Sequence, residues 1–181
     1  MSIPSSWYFC LESSEIRPNE VLGRSFFGQE LVFWRTESGI LHCSTATCPH
    51  RGSDLSKLGR VQGENLECFS HRYQHDARGD CVKTGLPILP CRPEGALRMF
   101  PVHEIAGFVL VWFDTHGKEP TWTIPDRAFE SRAAGRFIKS QFTFDCTVET
   151  INEDNFDVGH LYQWHALDEV DSTLPEVDGP T

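Results

Sequence analysis

The stretches Cys48-Pro-His50 and Cys68-Phe-Ser-His71 decide how this chain of 181 residues folds and what it holds. They read C-x-H and C-x2-H, with seventeen residues between them. Each short motif offers one thiolate and one imidazole. A [2Fe–2S] cluster with two thiolates on one iron and two imidazoles on the other needs two such loops facing each other. The spacing therefore predicts a cluster with Cys48 and Cys68 on one iron and His50 and His71 on the other.

The same four side chains are also the ligand set of a structural Cys2His2 zinc site. Such zinc sites usually group Cys with Cys and His with His along the chain. Here each motif mixes the two residue types, which favours the iron–sulfur cluster over zinc.

The residues around these ligands resemble the cluster loops of Rieske-type non-haem iron oxygenases, the family of ring-hydroxylating oxygenase α subunits. The resemblance is carried by Cys48-Pro-His-Arg-Gly-Ser-Asp-Leu-Ser56 and Cys68-Phe-Ser-His-Arg-Tyr73. In that family a Gly commonly follows the second His and an aromatic residue, often Trp, comes next. Arg72 and Tyr73 stand at these positions. Because Gly adopts backbone conformations that Arg avoids, we expect the local turn to differ.

Respiratory and photosynthetic Rieske proteins carry an additional Cys in each loop, and the two are bridged. Ser53 and Phe69 occupy the corresponding neighbourhoods, so the resemblance implies no such bridge. It implies a cluster of the lower-potential kind found in oxygenases and ferredoxins.

A second motif, D-x2-H-x4-H, is formed by Asp157, His160 and His165. Two imidazoles and a carboxylate make the facial triad of non-haem Fe(II) oxygenases. The resemblance implies that His160 and His165 bind a mononuclear Fe(II). It implies that Asp157 is the catalytic bridge that carries electrons between the Rieske domain of one subunit and the iron of its neighbour.

The third carboxylate ligand of this iron is unknown from the sequence. In the family the catalytic domain continues far beyond the second iron-binding His, whereas only residues 166–181 follow here. Several acidic residues lie in that stretch, but no pattern selects one, so we expect weak iron binding. The stretch contains Asp168, Glu169, Asp171, Glu176 and Asp178.

Three interpretations remain for a chain of this length. The first is an oxygenase component whose sequence stops short, and we favour it. The second is a shortened electron-transfer or assembly module completed by another chain. The third, a structural zinc domain, is remote.

The first two thirds of the chain show short apolar runs separated by turns, which predicts a mainly β fold. We expect residues 1–118 to form a Rieske [2Fe–2S] domain of small antiparallel sheets. Residues 119–181 are expected to be a linker and the incomplete start of an α+β, helix-grip catalytic domain. The predicted elements are strands at 31–35, 40–43, 99–102, 108–113 and 137–144 and a helix over 146–162.

Composition limits the class of function. A net charge of −10 argues against nucleic-acid binding, which needs clustered Lys and Arg. It would suit an electron donor that presents basic residues, although solubility is the simpler explanation. No signal peptide or membrane span is recognisable, so we expect a cytoplasmic protein. The remaining cysteines are dispersed and are expected to be free thiols; they are Cys10, Cys43, Cys81, Cys91 and Cys146.

The resemblance also implies an activity and partners. A reductase or ferredoxin would supply electrons, and O2 would be used to hydroxylate or desaturate a small hydrophobic substrate, aromatic or alicyclic. The sequence of residues 101–114 most resembles that of the branch of the family that oxidises sterols and ketosteroids. A homotrimer, or a complex with another oxygenase chain, is implied. The choice among mono-oxygenation, dioxygenation and desaturation is not fixed by the sequence.

Overall fold

A computed structural model describes residues 3–85, 88, 90–91 and 96–124, together with seven positions between 143 and 153. The chain divides into two compact units, Met1–Ala134 and Gly135–Thr181. The second metal motif, formed by Asp157, His160 and His165, lies outside the described residues.

The described part of the first unit contains eleven β-strands, and every strand pairing in it is antiparallel. This confirms the predicted mainly β class. The strands are β1 (Ser6–Glu12), β2 (Val21–Phe26), β3 (Gln29–Arg35), β4 (Leu41–Thr45), β5 (Gly59–Gln62), β6 (Asn65–Cys68), β7 (Gln74–His75), β8 (Cys81–Lys83), β9 (Met99–Phe100), β10 (Val102–Ile105) and β11 (Phe108–Phe113).

These strands form three small sheets. The strand orders are β1-β11-β10, β2-β3-β4-β9 and β5-β6-β7-β8. One short helix, α1 (Leu55–Leu58), connects the first cluster loop to β5, and the Asp54 side chain caps its N-terminus by accepting from the Ser56 N–H. The strands predicted at residues 31–35 and 40–43 are confirmed as β3 and β4, which pair as an antiparallel hairpin.

Strand β3 separates two hydrophobic cores, which explains its apolar run. Side chains alternate between the faces of a strand, so Leu31 and Phe33 enter one core and Val32 and Trp34 enter the other. All four are fully buried. The second core lies under the candidate cluster loops and includes Cys48 and Cys68, together with Ala46, Leu55, Val61, Leu66 and Leu97. The loops are therefore anchored to packed apolar side chains.

The strand predicted over residues 99–102 is wrong as a single element. Pro101 separates β9, which pairs with β4, from β10, which pairs with β11. Proline has no backbone N–H to donate to a sheet, so the chain changes sheet there. The turn that follows is confined to Ala106 and Gly107, both with positive φ, which suits a tight hairpin.

The expectation that the cysteines outside the cluster motifs remain free thiols is wrong for one pair. Cys81 and Cys91 form a disulfide, with Cα atoms 5.4 Å apart. That separation is in the range that a disulfide spans. Dispersed spacing along a chain does not show which cysteines meet in space, so the sequence could not reveal the pair.

In the second unit, Thr150, Ile151 and Glu153 are helical. The Thr147 hydroxyl accepts a hydrogen bond from the Thr150 N–H at 3.3 Å, the arrangement of an N-terminal cap. Within the described residues, no helix has the length and apolar character needed to cross a bilayer.

Candidate metal centre

The four residues of the first two motifs come together at the tips of two loops. Cys48 follows β4, and Cys68 is the last residue of β6. The two cysteines belong to one buried core cluster, and the Cys68 thiol is near enough to help raise the pKa of Cys48. The imidazole rings of His50 and His71 are 4.8 Å apart between centroids. Sulfur is therefore paired with sulfur and imidazole with imidazole.

The two pairs differ in exposure. Cys48 and Cys68 are 2% and 1% exposed, whereas His50 is half-buried and His71 is exposed. A binuclear iron–sulfur cluster with cysteine ligands on one iron and histidine ligands on the other needs two protein ligands of each type. Among the described residues, no three His, Cys, Asp or Glu side chains converge to hold a single ion. The donor set and its division into two pairs fit the binuclear cluster.

The first loop is closed by two backbone hydrogen bonds around Cys48. Its N–H donates to the carbonyl of Ser53 at 2.8 Å, and its carbonyl accepts from the N–H of Gly52 at 2.8 Å. Gly52 has φ +74, in the left-handed region. A glycine at this position allows the loop to reverse without steric cost.

The second loop repeats this backbone arrangement around Cys68. Its N–H donates to the carbonyl of Tyr73 at 2.8 Å, and its carbonyl accepts from the N–H of Arg72 at 2.8 Å. Arg72 has φ +59, so it adopts the left-handed conformation that Gly52 has in the first loop. Arg72 therefore takes the conformation that glycine adopts most easily, and it does so at the cost of backbone strain.

A buried carboxylate anchors this second turn. Glu67, only 4% exposed, accepts hydrogen bonds from Arg60 Nε at 2.9 Å and Arg72 Nη1 at 3.0 Å. Its other oxygen accepts from Gln74 Nε2 at 2.8 Å. A buried charge is tolerated when it is paired and hydrogen-bonded in this way. Glu67 thus fixes the side chain of Arg72, and with it the end of the loop.

Two contacts connect one loop to the other. The ring of Tyr73 stacks on His50 with centroids 4.2 Å apart and planes inclined by 13°. The hydroxyl of Ser53 donates to that of Ser70 at 3.1 Å. The loops are therefore linked by stacking and a hydrogen bond, and the described residues contain no disulfide between them.

Burial and neighbouring groups set the protonation of the metal-free side chains. Burial raises the pKa of Cys48 to about 11, and the nearby Cys68 sulfur adds to this increase. Partial burial, followed by the proximity of His71 and Arg51, lowers the pKa of His50. A metal must displace the thiol protons, so loading of the site is coupled to proton release.

Several residues of this site were not found from the sequence. Glu67 was hidden as one acidic residue in a short strand, and Arg60 is eight residues from the nearest ligand, Cys68. Gly85 packs directly against the carbonyl oxygen of His71, where a Cβ atom would clash. Tyr73 was visible as the aromatic residue after the second motif, although its contact with the opposite loop was not.

Comparisons with known proteins extend this geometry. Residues 6–101 match the Rieske [2Fe–2S] domain family. A cholesterol 7-desaturase of Bombyx mori is 34% identical over 164 residues, which cover 90% of this chain and 36% of that protein.

Solved structures of two oxygenases also align with this chain. Dicamba monooxygenase bound to 3,6-dichlorosalicylic acid aligns with a TM-score of 0.71 and 26% identity, covering 90% of this chain and 47% of its own. The oxygenase in a reduced oxygenase–ferredoxin complex of carbazole 1,9a-dioxygenase aligns with a TM-score of 0.54 and 25% identity, covering 60% and 28% of the two chains.

The chain spans less than half of each of these relatives. The family match covers more than half of the chain and includes both loops with their paired cysteines and histidines. This chain belongs to the Rieske [2Fe–2S] domain family.

Proposed function

We propose that Cys48 and Cys68 bind one iron, and His50 and His71 the other iron, of a Rieske [2Fe–2S] cluster. The observation that carries this proposal is the division of the four side chains into a buried sulfur pair and an outer imidazole pair. When bound, such a cluster supplies reversible one-electron transfer.

The protein's own contribution is to hold the ligands and control their surroundings. The second hydrophobic core keeps water from the cysteine side of the site. Tyr73 holds the ring of His50 in one orientation by stacking. The exposed His71 leaves the imidazole side open to another protein surface. This asymmetry suits electron exchange on the histidine side and protection on the sulfur side.

We further propose that the chain is part of a Rieske oxygenase that uses a reductase or ferredoxin and O2. Support comes from the relatives: a cholesterol 7-desaturase, dicamba monooxygenase, and an oxygenase solved in complex with a ferredoxin. A hydroxylated or desaturated sterol-like or aromatic compound is the proposed product. Residues 1–118 would be the Rieske domain and 119–181 the start of the catalytic domain, in a homotrimer or with another oxygenase chain.

Asp157, His160 and His165 remain proposed functional residues. His160 and His165 would bind a mononuclear Fe(II), with a third carboxylate still unassigned, and Asp157 would orient a neighbouring imidazole ligand across subunits. Asp157→Asn in the complete enzyme should lower turnover about 10–100-fold while the cluster spectrum stays unchanged. Normal turnover, or loss of the bound iron, would contradict the role given to Asp157.

The spectrum of the purified chain tests the cluster directly. We expect visible absorbance that bleaches on anaerobic reduction, and an electron paramagnetic resonance signal with nitrogen hyperfine coupling that changes on 15N-histidine labelling. Cys146→Ser, which alters an exposed thiol, is the control and should leave both signals intact. A cluster signal without histidine coupling would point to an all-cysteine site and refute the ligand assignment.

A further inference from the structure

Apolar side chains are exposed beside the second cluster loop. Phe69 is 53% exposed and Leu58 is 39% exposed. The Phe69 N–H donates to the Leu58 carbonyl at 2.7 Å, so the two residues are neighbours on the surface. Exposed aromatic residues with a polar rim are typical of protein-binding surfaces.

Cationic side chains surround this apolar centre. The guanidinium carbons of Arg60 and Arg72 lie 5.4 Å and 4.7 Å from the centroid of the Phe69 ring. Lys57 lies beside Leu58 in the chain; its side chain is 79% exposed and pairs with Asp54 at 2.8 Å. These three cations, with Leu58 and Phe69, are called the basic–aromatic patch below.

The patch retains positive charge although an acidic residue lies under it. Glu67 is buried and shared between Arg60 and Arg72, whose side chains remain 40% and 45% exposed. Between residues 48 and 74 the chain has four Arg and Lys side chains against three acidic ones, whereas the whole chain carries −10. The three cations of the patch pair with two carboxylates, Glu67 and Asp54, so the patch keeps one net positive charge on an acidic protein.

The backbone of Arg72 gives an independent argument for function. A left-handed conformation is strained for a non-glycine residue, and Gly52 avoids that strain at the equivalent place in the first loop. The turn alone would be served by glycine. Strained residues of this kind cluster at functional sites, and here the strained backbone holds a guanidinium on the surface beside Phe69.

We propose that the basic–aromatic patch binds the acidic face of a small ferredoxin-type electron carrier, with Phe69 at the centre of the contact. This inference rests on the proposed function and names the surface and charge of its partner. The overall charge of −10 suggested a basic partner instead. At physiological salt the Debye length is about 8 Å, so charges at the contact outweigh the distant acidic surface.

The test measures binding of an acidic [2Fe–2S] ferredoxin to the cluster-loaded 181-residue chain by isothermal titration calorimetry. Phe69→Ala, Arg60→Gln and Arg72→Gln are the test variants. Each should weaken binding about 3–10-fold, and Arg60→Gln combined with Arg72→Gln should reduce the salt dependence. An unchanged visible circular dichroism spectrum shows that the cluster and its loops are intact.

Matched controls lie elsewhere on the same unit. Phe9→Ala removes an aromatic side chain that is also 53% exposed. Arg17→Gln removes one exposed cation near Asn19, which bonds to Arg35 at the end of β3 away from the first cluster loop. Both controls should bind ferredoxin within about twofold of the unaltered chain, as surface changes outside an interface usually do.

The outcomes separate this inference from the proposed function. A chain that lacks the cluster refutes the proposed function before binding is measured. An intact cluster with patch variants that bind as tightly as the controls refutes the patch alone. Tighter binding of a basic c-type cytochrome than of the ferredoxin also refutes it. Self-association of the chain that is abolished by Phe69→Ala would also refute the patch proposal, because a second copy of the chain would then cover the patch.

Discussion

The two cluster loops have the same backbone hydrogen bonds but place different residues at the left-handed position of the turn. In the first loop the left-handed residue is Gly52, and in the second it is Arg72. The first loop leads into a capped helix, α1, while the second is anchored by the buried Glu67. The comparison shows that a loop at the candidate metal centre can keep its geometry when side-chain contacts offset an unfavourable backbone conformation.

The largest expected effect comes from removing a ligand, and it should be equal for the two loops. Cys48→Ser and Cys68→Ser should each abolish the cluster, since a thiolate is lost from the same iron in both cases. Absorbance and bound iron are the measurements, and Cys146→Ser serves as the control. A full cluster in either variant would show that the ligands are wrongly assigned.

Removing the Glu67 anchor of the second loop should lower the free energy of unfolding more than removing the Asp54 cap after the first loop. Glu67→Gln leaves Arg60 and Arg72 without their carboxylate and should lower the free energy of unfolding by about 2 kcal/mol. Asp54→Ala removes the α1 cap and should cost about 1 kcal/mol. Midpoints of urea unfolding, followed at the cluster absorbance, give the comparison.

Glu64→Gln is the matched control for the buried carboxylate. It changes an exposed carboxylate that accepts hydrogen bonds from Ser38 on the neighbouring turn, and it should leave the unfolding midpoint nearly unchanged. Equal effects of the Glu67 and Glu64 variants would mean that Glu67 does not anchor the loop.

Exchanging the residue types at the two left-handed positions should change the free energy of unfolding by different amounts. Gly52→Ala should lower the free energy of unfolding by about 1 kcal/mol from backbone strain alone, since its Cβ would meet no atom within 4 Å. Arg72→Gly relieves strain but loses the contacts with Glu67 and Phe69, so its net effect should stay within about 1 kcal/mol. The same unfolding midpoints test both changes. A large loss of stability in Arg72→Gly alone would mean that the side-chain contacts exceed the strain.

Much of this fold could be predicted because apolar patterning and ligand spacing are local properties. The run at residues 31–34 predicted β3, and the Cys and His spacing predicted which side chains would meet. The division of residues 99–102 was missed because the strands before and after Pro101 join different sheets, and local sequence does not show which sheet a strand joins. The disulfide between Cys81 and Cys91 and the anchoring by Glu67 depend on contacts between separated segments, which no local pattern records.

The smallest expected effect concerns the hydrogen bond between the loops. Ser53→Ala, Ser70→Ala and the double variant form a thermodynamic cycle, and the coupling energy should be about 0.5 kcal/mol because the bond is exposed to solvent. A coupling near zero would leave the stacking of Tyr73 on His50 as the main connection between the loops.

The central claim is that the paired cysteines and histidines hold a binuclear iron–sulfur cluster. Its most direct test is the content of iron, acid-labile sulfide and zinc in the purified 181-residue chain. The account predicts at least about two irons and about two sulfides per chain, with no stoichiometric zinc. A colourless protein with about one zinc per chain and no labile sulfide would contradict it.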